Sequence, residues 1–151
     1  MSITILGTGS ALPPVTVTNA DLSAIVDTRD EWIASRTGMH ERRVLGGRAL
    51  EELAADAALQ ALARADLKVA DVDRIFCTTV QGDFVTPSLA SAVAGRIGAQ
   101  CAAIDLNGAC AGFVDALELA AACFESGRAR RILIVSAEAI SRLVDWNDRS
   151  T

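Results

Sequence analysis

Among four cysteines and a single histidine in 151 residues, one cysteine has neighbours suited to covalent chemistry. Cys110 lies in the stretch Asp105-Leu106-Asn107-Gly108-Ala109-Cys110-Ala111-Gly112-Phe113, where an apolar run gives way to small residues and then to a long helical pattern. A thiol at the start of a helix, directly after a strand, faces the positive end of the helix dipole and amides with no partner inside the helix; both favour the thiolate. Gly108, Ala109, Ala111 and Gly112 leave room for a substrate to approach, and the Cys110 amide can donate to a developing oxyanion. These features describe a nucleophile. The competing reading is a small buried hydrophobe, the usual role of a free cysteine. A nucleophilic cysteine also needs a base held by a third group. The one histidine, His40 in Thr37-Gly38-Met39-His40-Glu41-Arg42, reads as an ordinary strand-edge position, so no base for Cys110 is identified.

The second candidate is a recognition pair. Thr28-Arg29-Asp30-Glu31 has the pattern of a capping box, which starts a helix at Thr28, and Thr37-Gly38 supplies its glycine stop. Trp32 and Arg36, four apart, then share one helix face. They serve either as a tryptophan anchor with an arginine stacked beside it, or as broad faces for a flat ligand such as an adenine ring. Cation–aromatic pairs recur about once in 70 to 80 residues, so spacing alone favours the anchor. Gly7-Thr8-Gly9-Ser10 lacks the further glycine, the lysine and the immediate helix of a phosphate loop. No ligand pair has zinc spacing, and no CxxC pair is present in a chain without an export signal, so reduced thiols and no metal are expected.

The elements that must position these residues alternate between strand and helix. Ser2 to Leu6 reads as a strand followed by a glycine turn, with Leu12-Pro13-Pro14 extended after it. Asn19 caps a short helix through Ile25, and Glu41 to Leu45 is a short strand. A helix from Ala49 to about Ala65 places Leu50, Leu53, Ala54, Ala57 and Ala61 on one face. Arg74 to Val80 is an apolar, β-branched strand of the kind covered on both faces, which makes Cys77 core. Pro87 is placed as the first residue of a helix to about Ile97, Cys101 to Leu106 is a strand, and Ile132 to Val135 another. The intervening helix, about Ala111 to Glu125, is apolar nearly all round apart from Asp115, Glu118 and Glu125, so it is expected to be buried on most sides. This alternation predicts right-handed βαβ crossovers and a parallel-rich sheet of the α/β class.

Composition sets the outer bounds. A content of 51% hydrophobic and 4% aromatic residues suits one domain of helices packed on a sheet. The net charge of -5, with arginines only in small groups such as Arg42-Arg43 and Arg130-Arg131, argues against nucleic acid. Acidic residues interrupt the apolar stretches before any reaches the roughly 18 residues of a membrane span. Met1 to Leu6 has no basic leader, so a cytosolic (cytoplasmic) protein without a signal peptide is expected.

The succession GTGSALP, TNADL, DTRDEWIASRTGMHER, NGACAGF and DWNDRST resembles the first half of β-ketoacyl-acyl-carrier-protein synthase III, the initiating condensing enzyme of type II fatty-acid synthesis in the thiolase-like superfamily. The resemblance runs along essentially the whole chain. It implies a truncated thiolase-like half-domain over residues 1–151, with a mixed, mostly parallel sheet and covering helices. It implies that Cys110 accepts an acyl group from a coenzyme A thioester, ahead of decarboxylative condensation with malonyl carrier protein. Trp32 matches the tryptophan that stacks on the coenzyme A adenine, Thr28 and Arg36 match its neighbours, Arg149 matches an arginine across that ring, and Phe113 matches the aromatic after ACAG. Coenzyme A is thus a substrate and no resident cofactor is implied. Acyl carrier protein is the second partner, and a homodimer the implied assembly. Thr86 stands where well-known members carry a phenylalanine that enters the partner's acyl pocket, with Phe84 nearby. The family continues beyond the position of Thr151 into a glycine-rich strand and a second half bearing the catalytic histidine, the asparagine and an oxyanion-hole glycine. Acyl transfer without condensation is therefore the expectation for this chain. Two others stand beside it: a non-catalytic half-domain that self-associates through its apolar faces, and a priming enzyme of a polyketide or quinolone pathway.

Overall fold

The structure, a computed structural model, describes residues 3–149. Ser2 of the expected first strand and the Ser150-Thr151 end of the last motif lie outside the described residues. The packing divides into two units. One comprises the stretch up to Ala11 with Ala49–Glu138, the other Leu12–Arg48 with the stretch from Ala139 onward.

In the larger unit three strands form a parallel sheet. β3 (Arg74–Thr78) is central, between β4 (Ala102–Leu106) and β5 (Ile132–Ser136). The register sets Phe76 beside Ile104 on one side and Ile134 on the other. β3 reads as an unbroken apolar run because it is covered on both faces, with Ile75, Phe76 and Cys77 all buried. α5 (Gly112–Glu125) sets Ala116 and Ala120 on Phe76, with Leu106, Leu119, Phe124, Ile132 and Ile134 around them. By the alternation of the pleat, Ile75 and Cys77 face the opposite layer of α3 (Leu50–Arg64) and α4 (Leu89–Ile97). Leu50, Leu53, Leu62, Leu89 and Val93 are buried there. Each such side chain contributes about 1.5–3 kcal/mol on leaving water. β4 holds the start of α4 directly: the Asp105 carboxylate accepts from the amides of Leu89 at 2.8 Å and Ala90 at 2.7 Å, a negative charge at a helix N-terminus.

Three expectations for this unit are corrected. Pro87 does not begin the helix; Ser88 is the N-cap, its hydroxyl accepting from the Ser91 amide, so Leu89 is first. α5 is not buried on most sides. Gly112, Ala116 and Ala120 are its buried residues, while Val114 is 64% exposed, because the sheet covers a single stripe of it. Ile3 to Leu6 is not a strand, since among the described residues no sheet partner pairs with it. The Gly7–Gly9 segment beyond it packs closely onto α3: a Cβ on Gly7 or Gly9 would run into the carbonyls of Ala61 and Ala57.

The smaller unit is built on an antiparallel ribbon of β1 (Val15–Thr18) and β2 (Glu41–Val44), with Val15 opposite Val44 and Thr18 opposite Glu41. Two helices lie between the strands in sequence, α1 (Asn19–Ser23) and α2 (Asp30–Thr37). The capping box belongs to α1. Thr18 is its N-cap, accepting from the Asp21 amide while the Asp21 carboxylate accepts from the Thr18 amide. Neither Asn19 nor Thr28 caps as expected, and α2 begins after Arg29 with no side-chain cap. Asn19 has a different task. It is 1% exposed, its Nδ2 donates to Asp30 Oδ1 at 2.7 Å and to the Met39 carbonyl at 2.8 Å, and its Oδ1 accepts from Arg42 Nη2. One side chain thereby ties β2, α2 and the segment before β2 together. Gly38, at φ 70°, ends α2 in the left-handed conformation expected of a glycine stop.

Candidate active site

Cys110 is carried on a sharp connection between β4 and α5. Ala109–Ala111 form a single 3₁₀ turn, closed by the Ala111 amide donating to the Gly108 carbonyl at 3.0 Å, and α5 starts only at Gly112. The cysteine therefore sits one short turn ahead of the α-helix rather than inside its first turn. Ala109 takes φ 45°, in the left-handed region that costs a residue with a Cβ about 1–2 kcal/mol. The neighbours make the turn possible by their size. A Cβ on Gly108 would press on Asp115 Oδ2 and come within 3.0 Å of the Gly112 backbone, and one on Gly112 would stand 3.2 Å from Thr78 Cβ. A strained elbow of small residues that lifts one side chain into the open is an arrangement that recurs where backbone strain serves function. Asn107 Nδ2 donates to the Val80 carbonyl at 3.2 Å and fixes the loop on its β3 side.

The four cysteines are free and differ in access. Cys110 is exposed, Cys101 and Cys123 are half-buried and Cys77 is buried. Burial, with the Asp105 charge as a smaller cause, pushes the Cys77 thiol up to about 12. The Cys101 thiol is also raised, by burial first and by Asp73 second, with Arg74 opposing. Cys77 is thus core, as its strand context indicated. Phe113, the first side chain after Gly112, is exposed and lines a cleft beside β5.

In the smaller unit the structure brings Trp32, Arg36 and Arg149 together. The Arg36 guanidinium carbon lies 4.5 Å from the Trp32 ring centroid and that of Arg149 lies 4.4 Å from it, both inside cation–π range. The i, i+4 spacing makes the first contact legible, whereas Arg149 reaches the ring from the far end of the chain. Thr28 is half-buried just before the α2 N-cap. His40 Nδ1 lies 3.6 Å from Asp30 Oδ1, with the side chain 73% exposed.

Three supports are not legible in the residue pattern. Asn19 has the residue type of a cap, and only its burial reveals the polar knot. Asp115 falls on the polar stripe of α5, yet its carboxylate lies against the Gly108 position at the elbow. Glu138 accepts from the Val80 amide at 2.8 Å and anchors the end of β3. An acidic residue in a helix first turn is the one available hint, and it points to Asp115 alone.

A family model for 3-oxoacyl-[acyl-carrier-protein (ACP)] synthase III matches residues 104–151, the stretch containing the cysteine elbow. The chain is 45% identical over 151 residues to a β-ketoacyl-[acyl-carrier-protein] synthase III of Clostridium acetobutylicum, covering 99% of this chain and 46% of that protein. It is 44% identical over 149 residues to the synthase III of Xylella fastidiosa, again covering 46% of it. The crystal structure of 3-oxoacyl-[acyl-carrier-protein] synthase III from Aquifex aeolicus superposes with TM-score 0.96 at 41% identity, over 99% of this chain and 49% of that one. The priming β-ketosynthase of the R1128 polyketide pathway superposes with TM-score 0.91 at 36% identity, over 97% and 44%. The chain thus spans about half the length of the relatives it matches. Sequence and fold agree along nearly all of that span: the chain has a thiolase-like α/β fold and is similar over its length to about half of a β-ketoacyl-acyl-carrier-protein synthase III.

Proposed function

We propose that this chain is the acyl-accepting part of a condensing enzyme of fatty-acid biosynthesis. The observation that carries the reading is Cys110, exposed on a strained elbow of small residues while Cys77 is buried and its thiol held up. In the proposed step the Cys110 thiolate attacks the carbonyl carbon of an acyl-coenzyme A thioester. The carbon–sulfur bond to coenzyme A breaks, a new thioester forms on Cys110, and coenzyme A leaves as a thiol with the proton that Cys110 surrendered. The amide donors of the Cys110 turn are the available stabilisers of the intermediate oxyanion.

Trp32, Arg36 and Arg149, with Thr28 beside them, are the proposed adenine-recognition group of coenzyme A. Both guanidiniums rest on the indole, so a flat ligand entering the stack displaces one of them. Phe113 is the proposed contact near the acyl chain. Condensation with malonyl carrier protein needs donors for the enolate that forms on loss of carbon dioxide. No histidine or asparagine of this chain is identified as such a donor, so acyl transfer is the whole of the chemistry proposed for it. The half-domain assignment over residues 1–151, the cytosolic setting and the homodimer belong to the same reading.

Incubation with acetyl-coenzyme A and then intact mass measurement tests it. The expected result is a single acetyl adduct that Cys110→Ala abolishes; a folded chain that stays unmodified overturns the proposal. The fit to the R1128 priming ketosynthase favours one second reading, a priming enzyme of a polyketide-type pathway that takes a different acyl donor. A panel of acyl-coenzyme A donors separates the two by which adduct forms fastest.

A further inference from the structure

The Cys110 elbow holds Ala109 at φ 45° with only short-range bonds of its own, from the Ala111 amide to the Gly108 carbonyl and from the Gly112 amide to the Ala109 carbonyl. Strained backbone persists only where its surroundings over-determine it. Those surroundings lie at the end of β3. Thr78 closes that strand, in register with Leu106 of β4 and Ser136 of β5. On the pleat it shares a face with Phe76, the face on which α5 packs. It is 5% exposed and meets Gly112, the first residue of α5: a Cβ there would lie 3.2 Å from Thr78 Cβ, 3.7 Å from Cγ2 and 3.8 Å from Oγ1. The Thr78 side chain is therefore a floor beneath the residue two places after Cys110.

That floor has one fixed orientation. Thr78 Oγ1 and Ser136 Oγ share a hydrogen bond at 2.7 Å, and the Thr78 carbonyl accepts from the Ala137 amide at 3.1 Å. A β-branched side chain has few χ1 choices, and the hydroxyl bond selects one of them. The next residues extend the grip, because the Val80 amide donates to Glu138 and the Val80 carbonyl accepts from Asn107 Nδ2. The end of β5 thus holds the end of β3, and the end of β3 holds the elbow on both sides of Cys110.

We propose, on the basis of the acyl transfer above, that Thr78 and Ser136 are positioning residues for Cys110. Their hydroxyl pair sets the height of Gly112 and, through the backbone, the placement of the thiol against the acyl donor. The pair is sensitive because of its length. Two hydroxyl oxygens approach to 2.7 Å across a hydrogen bond, whereas a methyl carbon and an oxygen stand about 3.3–3.6 Å apart. Thr78→Val keeps the shape of the side chain but forces a shift of about 0.6–0.9 Å beneath the elbow. Misplacement on the order of 1 Å costs up to about a hundredfold where a reaction depends on alignment.

The test is single-turnover acetylation of Cys110 by acetyl-coenzyme A, followed by intact mass across donor concentrations so that the maximal rate separates from the half-saturating concentration. Thr78→Val is expected to lower the maximal rate about tenfold or more and to leave the half-saturating concentration within about twofold. Thr78→Ser keeps the hydroxyl bond and is expected to stay within about threefold of the unaltered chain. A folded Thr78→Val chain acetylated at the unaltered rate overturns the proposal. So does a change confined to the half-saturating concentration, or a Thr78→Ser chain as slow as the valine one. Ser136→Ala, at an exposed residue, is expected to lower the maximal rate in the same direction, and it decides on the same criteria if Thr78→Val does not fold. Hydrogen–deuterium exchange and iodoacetamide alkylation distinguish failure of the positioning from failure of acyl transfer itself. In a folded chain that takes no acetyl group, faster exchange at Ala109–Gly112 in the variants still supports the positioning, whereas unchanged exchange and unchanged alkylation of Cys110 overturn it.

Discussion

At the scale of single residues, accessibility separates Cys110 from the other cysteines more sharply than local sequence does. Cys77 shares an apolar neighbourhood with two strands and an acidic neighbour, and its thiol at about 12 leaves roughly one molecule in a thousand as thiolate at pH 9. Iodoacetamide at that pH is therefore expected to label Cys110 in the folded chain and to spare Cys77, as read by peptide mass spectrometry. Equal labelling of both in folded protein would contradict the burial of Cys77. Asn19 is the second residue with an outsized role. Truncation in Asn19→Ala strips partners from Asp30, Arg42 and the Met39 carbonyl at once, and should cost about 2–3 kcal/mol of stability. Urea unfolding midpoints measure this, and a loss below about 0.5 kcal/mol would show that water replaces the network without penalty.

Carboxylates at strand and helix ends govern how the elements are joined. Asp105 locks β4 to the start of α4, and Asp73 does the equivalent before β3, its Oδ2 accepting from the Arg130 amide at 2.7 Å and the Arg131 amide at 2.9 Å ahead of β5. These amides, the Arg130 one first, hold the Asp73 carboxyl below its ordinary value of 3.8. A carboxyl depressed in the folded state stabilises the fold above its unfolded value and loses that contribution as pH falls through the lower, folded one. Asp73→Asn should therefore lower stability near neutrality and flatten the acid limb below pH 3.8. Thermal melts across pH 2 to 7 check the sign. The result that would refute it is an unchanged slope in the variant. Because Asp73 is largely in contact with solvent, the effect is expected to be small.

The chemistry of the whole molecule depends on what it contains and on how its distant segments meet. With no histidine or asparagine identified for the enolate step, the chain is expected to take an acetyl group on Cys110 and yet form no condensation product with malonyl carrier protein. Carbon dioxide release is the readout, and production of the β-ketoacyl thioester by this chain alone would overturn the proposed restriction to acyl transfer. The footing of the Cys110 elbow belongs to the same scale, since Thr78, Gly112 and Ser136 come from elements far apart in the chain.

How far the sequence carries depends on whether the information is local. The apolar runs of β3, β4 and β5, the alanine stripe of α3, the glycine stop of α2 and the cysteine among small residues follow from periodicity and residue size over a few positions, and they also carry the family resemblance. The start of α2, the cap of α4 and the burial of α5 depart from the sequence expectation because capping is decided by which oxygen reaches an amide, and helix exposure by what packs on it. The parallel α/β order, the candidate nucleophile and the Trp32–Arg36 face are readable from residue types alone, because they depend on neighbours one to four residues away. The resemblance implies Arg149 beside Trp32, but the contact itself, the buried knot at Asn19 and the lack of a ladder at Ile3 to Leu6 emerge only in the folded chain. Each of these depends on contacts between segments distant in the chain, which no local pattern of residue types encodes.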